Sequence, residues 1–244
     1  MGTGFNQVRA QHYNSLHWAT DELYLKKFLD FADLQLGDTI LDLGTGTALV
    51  ARGVVGKVEK VVGLDNAVEM LKIATQANPE ITFVLGDARQ MPFVEKSFDK
   101  VLARMVFHHL TEGLELALGE CWRVLRRQGT LVISEGVPPC SEVKPEYIEI
   151  FRLKEERLTF LPEDLINFLK QSGFVNISYK FYLLPKVSVK DWLKNSGCSR
   201  FVQEKILQLH LNGSRLFKKA YNLVGAEDDC LIDMLFFMAK GERP

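Results

Sequence analysis

The sequence is poor in the features that would tie it to a membrane, an oxidising compartment or nucleic acid. Its 244 residues include only four cysteines, Cys121, Cys140, Cys198 and Cys230, and no two have C-x-x-C spacing. That scatter argues against a cysteine zinc site and a disulfide framework and suits a reducing cytoplasm, so no metal is expected. No apolar run reaches the roughly 20 residues of a membrane-spanning helix, and the first residues lack the apolar segment of a signal peptide, so neither a span nor secretion is expected. Lys and Arg number 30 against 31 Asp and Glu, a formal net charge of −1. Without a basic stripe, a nucleic-acid partner is not expected. The pairs Arg126-Arg127 and Lys218-Lys219 read as solvated charge. No internal repeat or low-complexity linker divides the chain, whose length suffices for one sizeable core with a cap.

What the sequence does have is one stretch that organises the rest. Residues 39–51 read TILDLGTGTALVA. Ile40, Leu41 and Leu43 predict a buried strand, Gly44 and Gly46 a tight turn, and the residues beyond them a helix. Glycines admit left-handed backbone and let a ligand lie close to the main chain. The helix that follows turns its unpaired N–H groups toward that ligand. A dinucleotide-binding turn, G-x-G-x-x-G or A, wants a third small residue at position 49, where Leu49 stands. The pattern acidic-x-Gly-x-Gly-x-Gly fits better: Asp42, Gly44 and Gly46 match, and Ala48 replaces the last glycine. The loop thus resembles that of class I S-adenosylmethionine-dependent methyltransferases.

Acids then recur at strand ends. Residues 5–35 read as helical, with Leu23, Leu25, Phe28, Leu29, Phe31 and Leu34 spaced along an apolar face. Their first part carries His12, Tyr13, His17 and Trp18, which either pack on a sheet or fold over a ligand. A second strand over 60–64 ends in Asp65, followed by Asn66. A carboxylate there can accept from both hydroxyls of a ribose, or cap the helix expected over 67–77. Met70 lies on that helix, facing either an adenine pocket or the core. A third strand over 81–85 runs into Gly86-Asp87-Ala88. Ligands of open α/β sheets bind beyond the carboxyl ends of the strands, so Asp87 can accept from an adenine amino group and the Ala88 N–H can donate to a ring nitrogen. The fourth strand, 98–103, leads through Arg104 to His108-His109-Leu110. A helix over 113–127 has Leu116, Leu118, Cys121, Val124 and Leu125 as core candidates, and Gln128-Gly129 reads as its glycine stop before a fifth strand at 130–134.

Taken in order, Asp42-x-Gly-x-Gly, Asp65, Gly86-Asp87-Ala88, Phe98-Asp99, His108-His109-Leu110 and Cys121-Trp122-Arg123-Val124-Leu125 before Gln128-Gly129 resemble the class I methyltransferase family. The resemblance is to its branch similar to the ubiquinone/menaquinone-type small-molecule methyltransferases. It is good over residues 38–136 and weak over 160–185. It implies an α/β, Rossmann-like fold: a seven-stranded, mostly parallel sheet with helices on both faces and one antiparallel strand near its edge. It also implies S-adenosylmethionine as methyl donor, with S-adenosylhomocysteine as product. Asp42, Gly44, Thr45, Gly46, Asp65, Asn66, Met70, Asp87, Ala88 and Arg104 are the expected cofactor contacts.

The remaining chain divides accordingly. Residues 1–37 are expected to form an N-terminal helical cap, 38–137 the cofactor-binding core, 138–160 a lid insert, 161–185 a continuation of the core with a short helix and a strand, 186–229 a helical insert, and 230–244 the last strand and tail. The two inserts and the N-terminal helix read as a lid over the methyl group, or else as the surface of a homodimer. Apolar residues in them (Tyr147, Ile150, Phe151, Trp192, Leu193, Phe201) line a pocket for an apolar or aromatic acceptor, or form the inserts' own core. Methyl transfer from a sulfonium needs mostly positioning; for a hydroxyl or an activated carbon a base helps, and His108 and His109 are the candidates. No Asn/Asp-Pro-Pro-Tyr element follows the fourth strand, where Arg104-Met105-Val106-Phe107 stands, which disfavours amino-methylation of nucleic acid or protein. The expected activity is therefore C- or O-methylation of a small molecule; a protein or RNA methyltransferase, and a regulatory protein that holds the cofactor without turnover, are the alternatives.

Overall fold

The structure is a computed structural model and describes residues 10, 12–226 and 228–244; the expected helical residues 5–9 and 11 lie outside that set. Among the described residues Ala10 and His12 are helical; a tight turn at Tyr13–Ser15 follows, then a short helix α1 (His17–Thr20) and the longer α2 (Glu22–Ala32). The expected single helix is thus broken. Asp21 interrupts it because its side chain accepts the Tyr24 N–H at 2.6 Å, which is an N-cap. The buried face of α2 is Tyr24, Phe28, Phe31 and their neighbours Leu29 and Ala32, whereas Leu23 points to solvent.

Strands β1 (Thr39–Leu43), β2 (Lys60–Asp65), β3 (Thr82–Leu85), β4 (Phe98–Arg104) and β5 (Leu125–Val137) pair in parallel. Between them lie α3 (Leu49–Val54), α4 (Val68–Ala77) and α5 (Leu114–Val124). After β5 come α6 (Lys144–Lys154), α7 (Pro162–Gln171), the long β6 (Val175–Ser188), α8 (Val189–Lys194), α9 (Arg200–Asn212), α10 (Arg215–Ala220), and the hairpin β7 (Val224–Ala226) and β8 (Asp229–Glu242). The sheet order is β3-β2-β1-β4-β5-β8-β6, with β7 attached to β8. Strand β8 runs antiparallel to β5, β6 and β7. The seven-stranded path is as expected, and the three-residue β7 makes an eighth strand.

Alternation in the strands builds the core on both faces. Leu41, Leu43, Val101, Ala103, Leu131 and Ile133 pack against Leu118 and Cys121 of α5 and Leu165 and Leu169 of α7. Ile40, Leu102, Val132 and Met238 face the other way, onto Phe28 and Leu29 of α2 and Val50 and Val54 of α3. Each such large side chain contributes about 1.5–3 kcal/mol by leaving water.

Helix α5 ends three residues before the expected stop, and Leu116 on it is exposed. Its terminal carbonyls are satisfied from far away: the Arg243 guanidinium donates to Trp122, Arg123 and Leu125. The chain is then free to become extended at Leu125, and Gln128-Gly129 lies inside β5 rather than capping a helix.

Helix α6 stops at Lys154, where Glu155 takes extended backbone, and the chain runs without helix or strand to α7. The 186–229 insert is helical as expected and consists of three short helices, the last of which, α10, is capped by the Ser214 side chain accepting the Phe217 N–H.

Candidate functional site

The site lies beyond the carboxyl ends of β1, β2, β3 and β4. Gly44 and Gly46 hold φ of +65° and +54°, which lets the chain turn out of β1 into α3. Ala48, at the place of the third glycine, is also left-handed, with φ +69°. The departure from glycine is felt there as backbone strain. Asp42 sits beneath this loop, 2 % exposed, and accepts from Thr45 Oγ1 at 2.6 Å and Ala51 N at 3.0 Å. Burial pushes its pKa up to about 7, against the pull of these hydrogen bonds. Asp42 therefore builds the loop and does not face the cavity.

Asp65 does. Its Oδ2 accepts the Gly46 N–H and its Oδ1 the Ala67 N–H, both at 2.8 Å, so the carboxylate bridges the glycine loop and the start of α4. It lines a cavity of about 460 Å³ together with Gly44, Asn66, Met70 and Ala88. Thr45, Gly46, Asp87 and Arg104, like Asp42, are not part of that wall. The Asp87 carboxylate turns outward into a fork with Arg89, at 2.6–3.2 Å, which holds its pKa below the usual carboxylate range. In this arrangement the side chain expected to meet an adenine is held by an ion pair. Arg104 is buried, donates from Nη2 to the Ala19 carbonyl at 2.9 Å and lies 5.3 Å from the Tyr24 ring centre. It fastens α1 to the sheet.

The two histidines are not equivalent. Met105 leaves β4 at φ +62°, and the following turn, Phe107–His109, wraps one buried carboxylate, Glu135 of β5. Glu135 Oε1 accepts the Val106 and Phe107 N–H groups at 3.0 and 2.7 Å, and Oε2 lies 2.6 Å from His108 Nδ1. Burial raises the Glu135 pKa to about 7, opposed first by the charge of Arg157. His108 is buried, while His109 is exposed with its ring centre 3.9 Å away. Sequence reading missed Glu135 entirely. A lone acid in the apolar run Leu131 to Val137 was the signal, because an acid is almost never fully buried without partners.

Beyond the histidines the same cavity is walled by Trp18, Tyr147, Phe151, Trp192, Tyr221 and Phe236, which come from the N-terminal segment, both inserts and β8. The residues after α6, Glu155 to Arg157, close its side. Leu158 N donates to the His108 carbonyl at 2.8 Å, and Arg157 lies 4.3 Å over the Phe151 ring. Glu155, buried beside them, meets Lys154 Nζ at 2.8 Å and Arg157 at 3.6 Å. No metal was expected from the cysteines. Yet donor atoms of His108, His109 and Glu155 lie within 4.8 Å of one another and could hold one.

Comparison with known proteins agrees with this geometry. A family described as "Methyltransferase domain" matches residues 41–133. The demethylmenaquinone methyltransferase of Thermotoga maritima is 31% identical over 179 residues, which are 63% of this chain and 78% of that protein. That of Porphyromonas gingivalis is 28% identical over 224 residues, 78% of this chain and 91% of the relative. Among solved structures, the YcgJ protein of Bacillus subtilis superposes with a TM-score of 0.79 at 20% identity, covering 90% of this chain and 98% of that one, which is a likeness of fold. With such a relative covered over most of its length, the chain belongs to the class I S-adenosylmethionine-dependent methyltransferases, next to the quinone methyltransferases, and is a methyl-transferring enzyme.

Proposed function

We propose that this enzyme methylates an oxygen or an activated carbon of a small, ring-bearing acceptor. The observation that carries the reading is the continuity of one cavity from Asp65, Asn66, Met70 and Ala88 to the aromatic chamber of Trp18, Tyr147, Phe151, Trp192, Tyr221 and Phe236, with His108 between. A flat apolar acceptor suits such walls, since aromatic faces stack on it. The relatives named above act on demethylmenaquinone, a ring substrate.

The residues present fit the cofactor. Asp65, fixed by two main-chain N–H groups and turned to the cavity, suits a ribose, while Gly44 and Gly46 leave room for the methionine part to pass the main chain. Asn66, Met70 and Ala88 suit the adenine, and Asp42, Thr45 and Arg104 act indirectly by holding the loop and the N-terminal cap. When bound, S-adenosylmethionine supplies a methyl group on a sulfonium, already a good leaving group.

The chain's own work is then to orient the acceptor, exclude water and take a proton. Orientation alone supplies about 7–11 kcal/mol in favourable cases. His108, with Nδ1 held by Glu135, presents Nε2 as the atom to receive the acceptor's proton, a task worth about 10²- to 10⁴-fold. His109, on the exposed side, is the second candidate. The inserts and the N-terminal segment act as a lid over this chamber, and a homodimer built through them is the competing use of the same surfaces.

The test is transfer of labelled methyl from S-adenosylmethionine to reduced naphthoquinones, phenols, primary amines, bulk RNA and unfolded protein in parallel. Label on the hydroxylated ring compounds alone is expected. Label on amines, RNA or protein instead would overturn the acceptor assignment.

A further inference from the structure

The acceptor chamber is walled by aromatic rings, yet Arg157, from the segment after α6, also lines it. The Arg157 side chain is 4% exposed. Its guanidinium stands 4.3 Å from the Phe151 ring centre and 6.0 Å from that of Tyr147. Leu158, the next residue, donates its N–H to the His108 carbonyl at 2.8 Å, which seats Arg157 beside the histidine turn. A guanidinium donates through every one of its nitrogens. Among the described residues, however, Arg157 makes one hydrogen bond, from Nε to the Leu158 carbonyl at 3.3 Å, and none from Nη1 or Nη2. Glu155 lies 3.6 Å from Nη1, beyond hydrogen-bond reach. Buried polar groups are as a rule hydrogen-bonded, so a cation presented to a cavity in this way suits an anion that enters it.

We propose, resting on the ring-bearing acceptor and the His108 proton acceptor proposed above, that Arg157 is the counter-charge for an acceptor hydroxyl that ionises in the chamber. The acceptor class is then a phenol or an enol. The balance of charge at this end of the cavity carries the assignment. When the acceptor's O–H bond breaks, the proton goes to His108 Nε2 and the electron pair stays on the oxygen. The new imidazolium is matched by Glu135, whose Oε2 lies 2.6 Å from His108 Nδ1. Lys154 and Glu155 match each other at 2.8 Å. Glu156 is exposed, so water and salt screen it. Without Arg157 the oxygen would be an uncompensated charge among apolar rings, which is strongly disfavoured.

Arg157 supplies the positive charge that remains. A guanidinium can stack its face on a ring and still donate from its edge, so Arg157 can keep its place on Phe151 while it meets the oxygen. Its charge reaches across the chamber. Burial raises the Glu135 pKa, and Arg157 is the first influence opposing it. The same charge opposes the effect of burial on Tyr147 and Tyr221, from α6 and from the residue after α10. The ionised oxygen is itself a nucleophile, and it activates a ring carbon conjugated with it, so the arrangement serves O- and C-methylation alike. Proton uptake by His108 and charge pairing by Arg157 are thus complementary roles at one oxygen.

The experiment adds para-nitrophenol, whose anion absorbs in the visible, to the full chain with S-adenosylhomocysteine present, at a pH below the free probe's pKa. Saturable binding with the anion's visible band is expected, and titration of the band should place the bound probe's pKa below its value in solution. An opposite charge a few ångströms away lowers a pKa by about 1–3. Arg157→Gln and Arg157→Met should therefore raise the bound probe's pKa by a like amount, and Arg157→Lys, which keeps the charge but not the fork, by less. S-adenosylhomocysteine affinity, read at the other end of the cavity, checks that each variant is folded, and either neutral variant suffices. Para-nitroanisole, the methyl ether, cannot ionise, and its affinity should stay nearly level across the variants. A bound probe that stays neutral in the unaltered chain, or that ionises equally in the neutral variants, overturns the Arg157 assignment and leaves the chamber standing. Equal losses of phenol and ether affinity in the variants would mark a packing role alone and overturn it too. No saturable binding of either probe by the unaltered chain would overturn the acceptor chamber, and the Arg157 assignment with it.

Discussion

The carboxylate of Asp65 accepts the main-chain N–H of Gly46 at 2.8 Å, which ties the end of β2 to the glycine loop after β1. One oxygen thus fixes the loop while the other holds Ala67, and a carboxylate oxygen can accept more than one hydrogen bond. Asp65→Ala should weaken S-adenosylhomocysteine binding by at least about 1.5–3 kcal/mol, the usual worth of hydrogen bonds to a charged group. Asp65→Asn should lose less, since it keeps one acceptor but cannot hold both N–H groups. Calorimetry decides, and unchanged affinity in the alanine variant would refute the ribose assignment.

The loop is equally intolerant at Gly44. A Cβ built there would stand 2.5 Å from Val106 Cγ2, at a φ of +65° that L residues avoid. Gly44→Ala should therefore cost about 1–2 kcal/mol for the backbone conformation and about 1–3 kcal/mol for overpacking. Adding Val106→Ala should recover the packing part and leave the backbone part. Urea denaturation of the single and double variants separates the two, and a single variant as stable as the parent would show that the loop can move away from Val106.

Much of this site was readable in the one-dimensional chain, for a physical reason. Gly44, Asp65 and Ala88 each follow an apolar strand within a few residues, so local pattern alone places them at the sheet's carboxyl edge. Asp42 and Asp87 follow the same pattern, yet neither lines the cavity. Whether an acid at a strand end faces a ligand depends on neighbours: Thr45 and Ala51 claim Asp42, and Arg89 claims Asp87. Contacts distant in sequence were not readable. Glu135 meets its turn 27 residues away, and the carbonyls ending α5 are capped by Arg243, about 120 residues away. The short β7 was equally hidden, since Val224–Ala226 has too few residues to show alternation.

Glu135 is the group on which the histidine turn depends. Gln in its place keeps an oxygen for the Val106 and Phe107 N–H groups but presents an amide donor to His108 Nδ1. The ring must then carry its proton on Nε2, which nitrogen NMR of the imidazole reads directly; an unchanged tautomer would count against the contact. The pH dependence follows from the raised pKa. Native Glu135 titrates at about 7, above the ordinary glutamate value of about 4.3. The folded state therefore binds more protons than the unfolded state between these values. The stability this provides is fully present below about pH 4 and is lost as pH rises through about 7. Glu135→Gln should flatten the stability profile across that window relative to the parent, and denaturation midpoints across the window measure it.

His210 gives a pH response of the opposite sign; it packs behind the acceptor chamber, against the lining residue Trp192. It is buried on α9 between Trp192 and Phe217, with ring centres 6.3 and 5.7 Å away, and its Nδ1 lies 2.8 Å from the Ile206 carbonyl. Burial lowers its pKa to about 4, against about 6.5 for a free imidazole. Here the unfolded state binds more protons, so the stability from the neutral ring is fully present above about pH 6.5 and is lost as pH falls toward about 4. The 186–229 insert, which carries Trp192 and Tyr221 into the chamber, should therefore loosen in mild acid before the sheet does. Amide hydrogen exchange should show α8, α9 and α10 losing protection at about pH 5 while β1, β4 and β5 keep theirs. His210→Leu removes the titrating group and forfeits one hydrogen bond, about 0.5–1.5 kcal/mol at neutral pH. That variant should start less stable and lose less between neutral pH and about pH 5 than the parent. Equal losses in the two proteins would mean that the acid sensitivity of the chamber wall comes from another group.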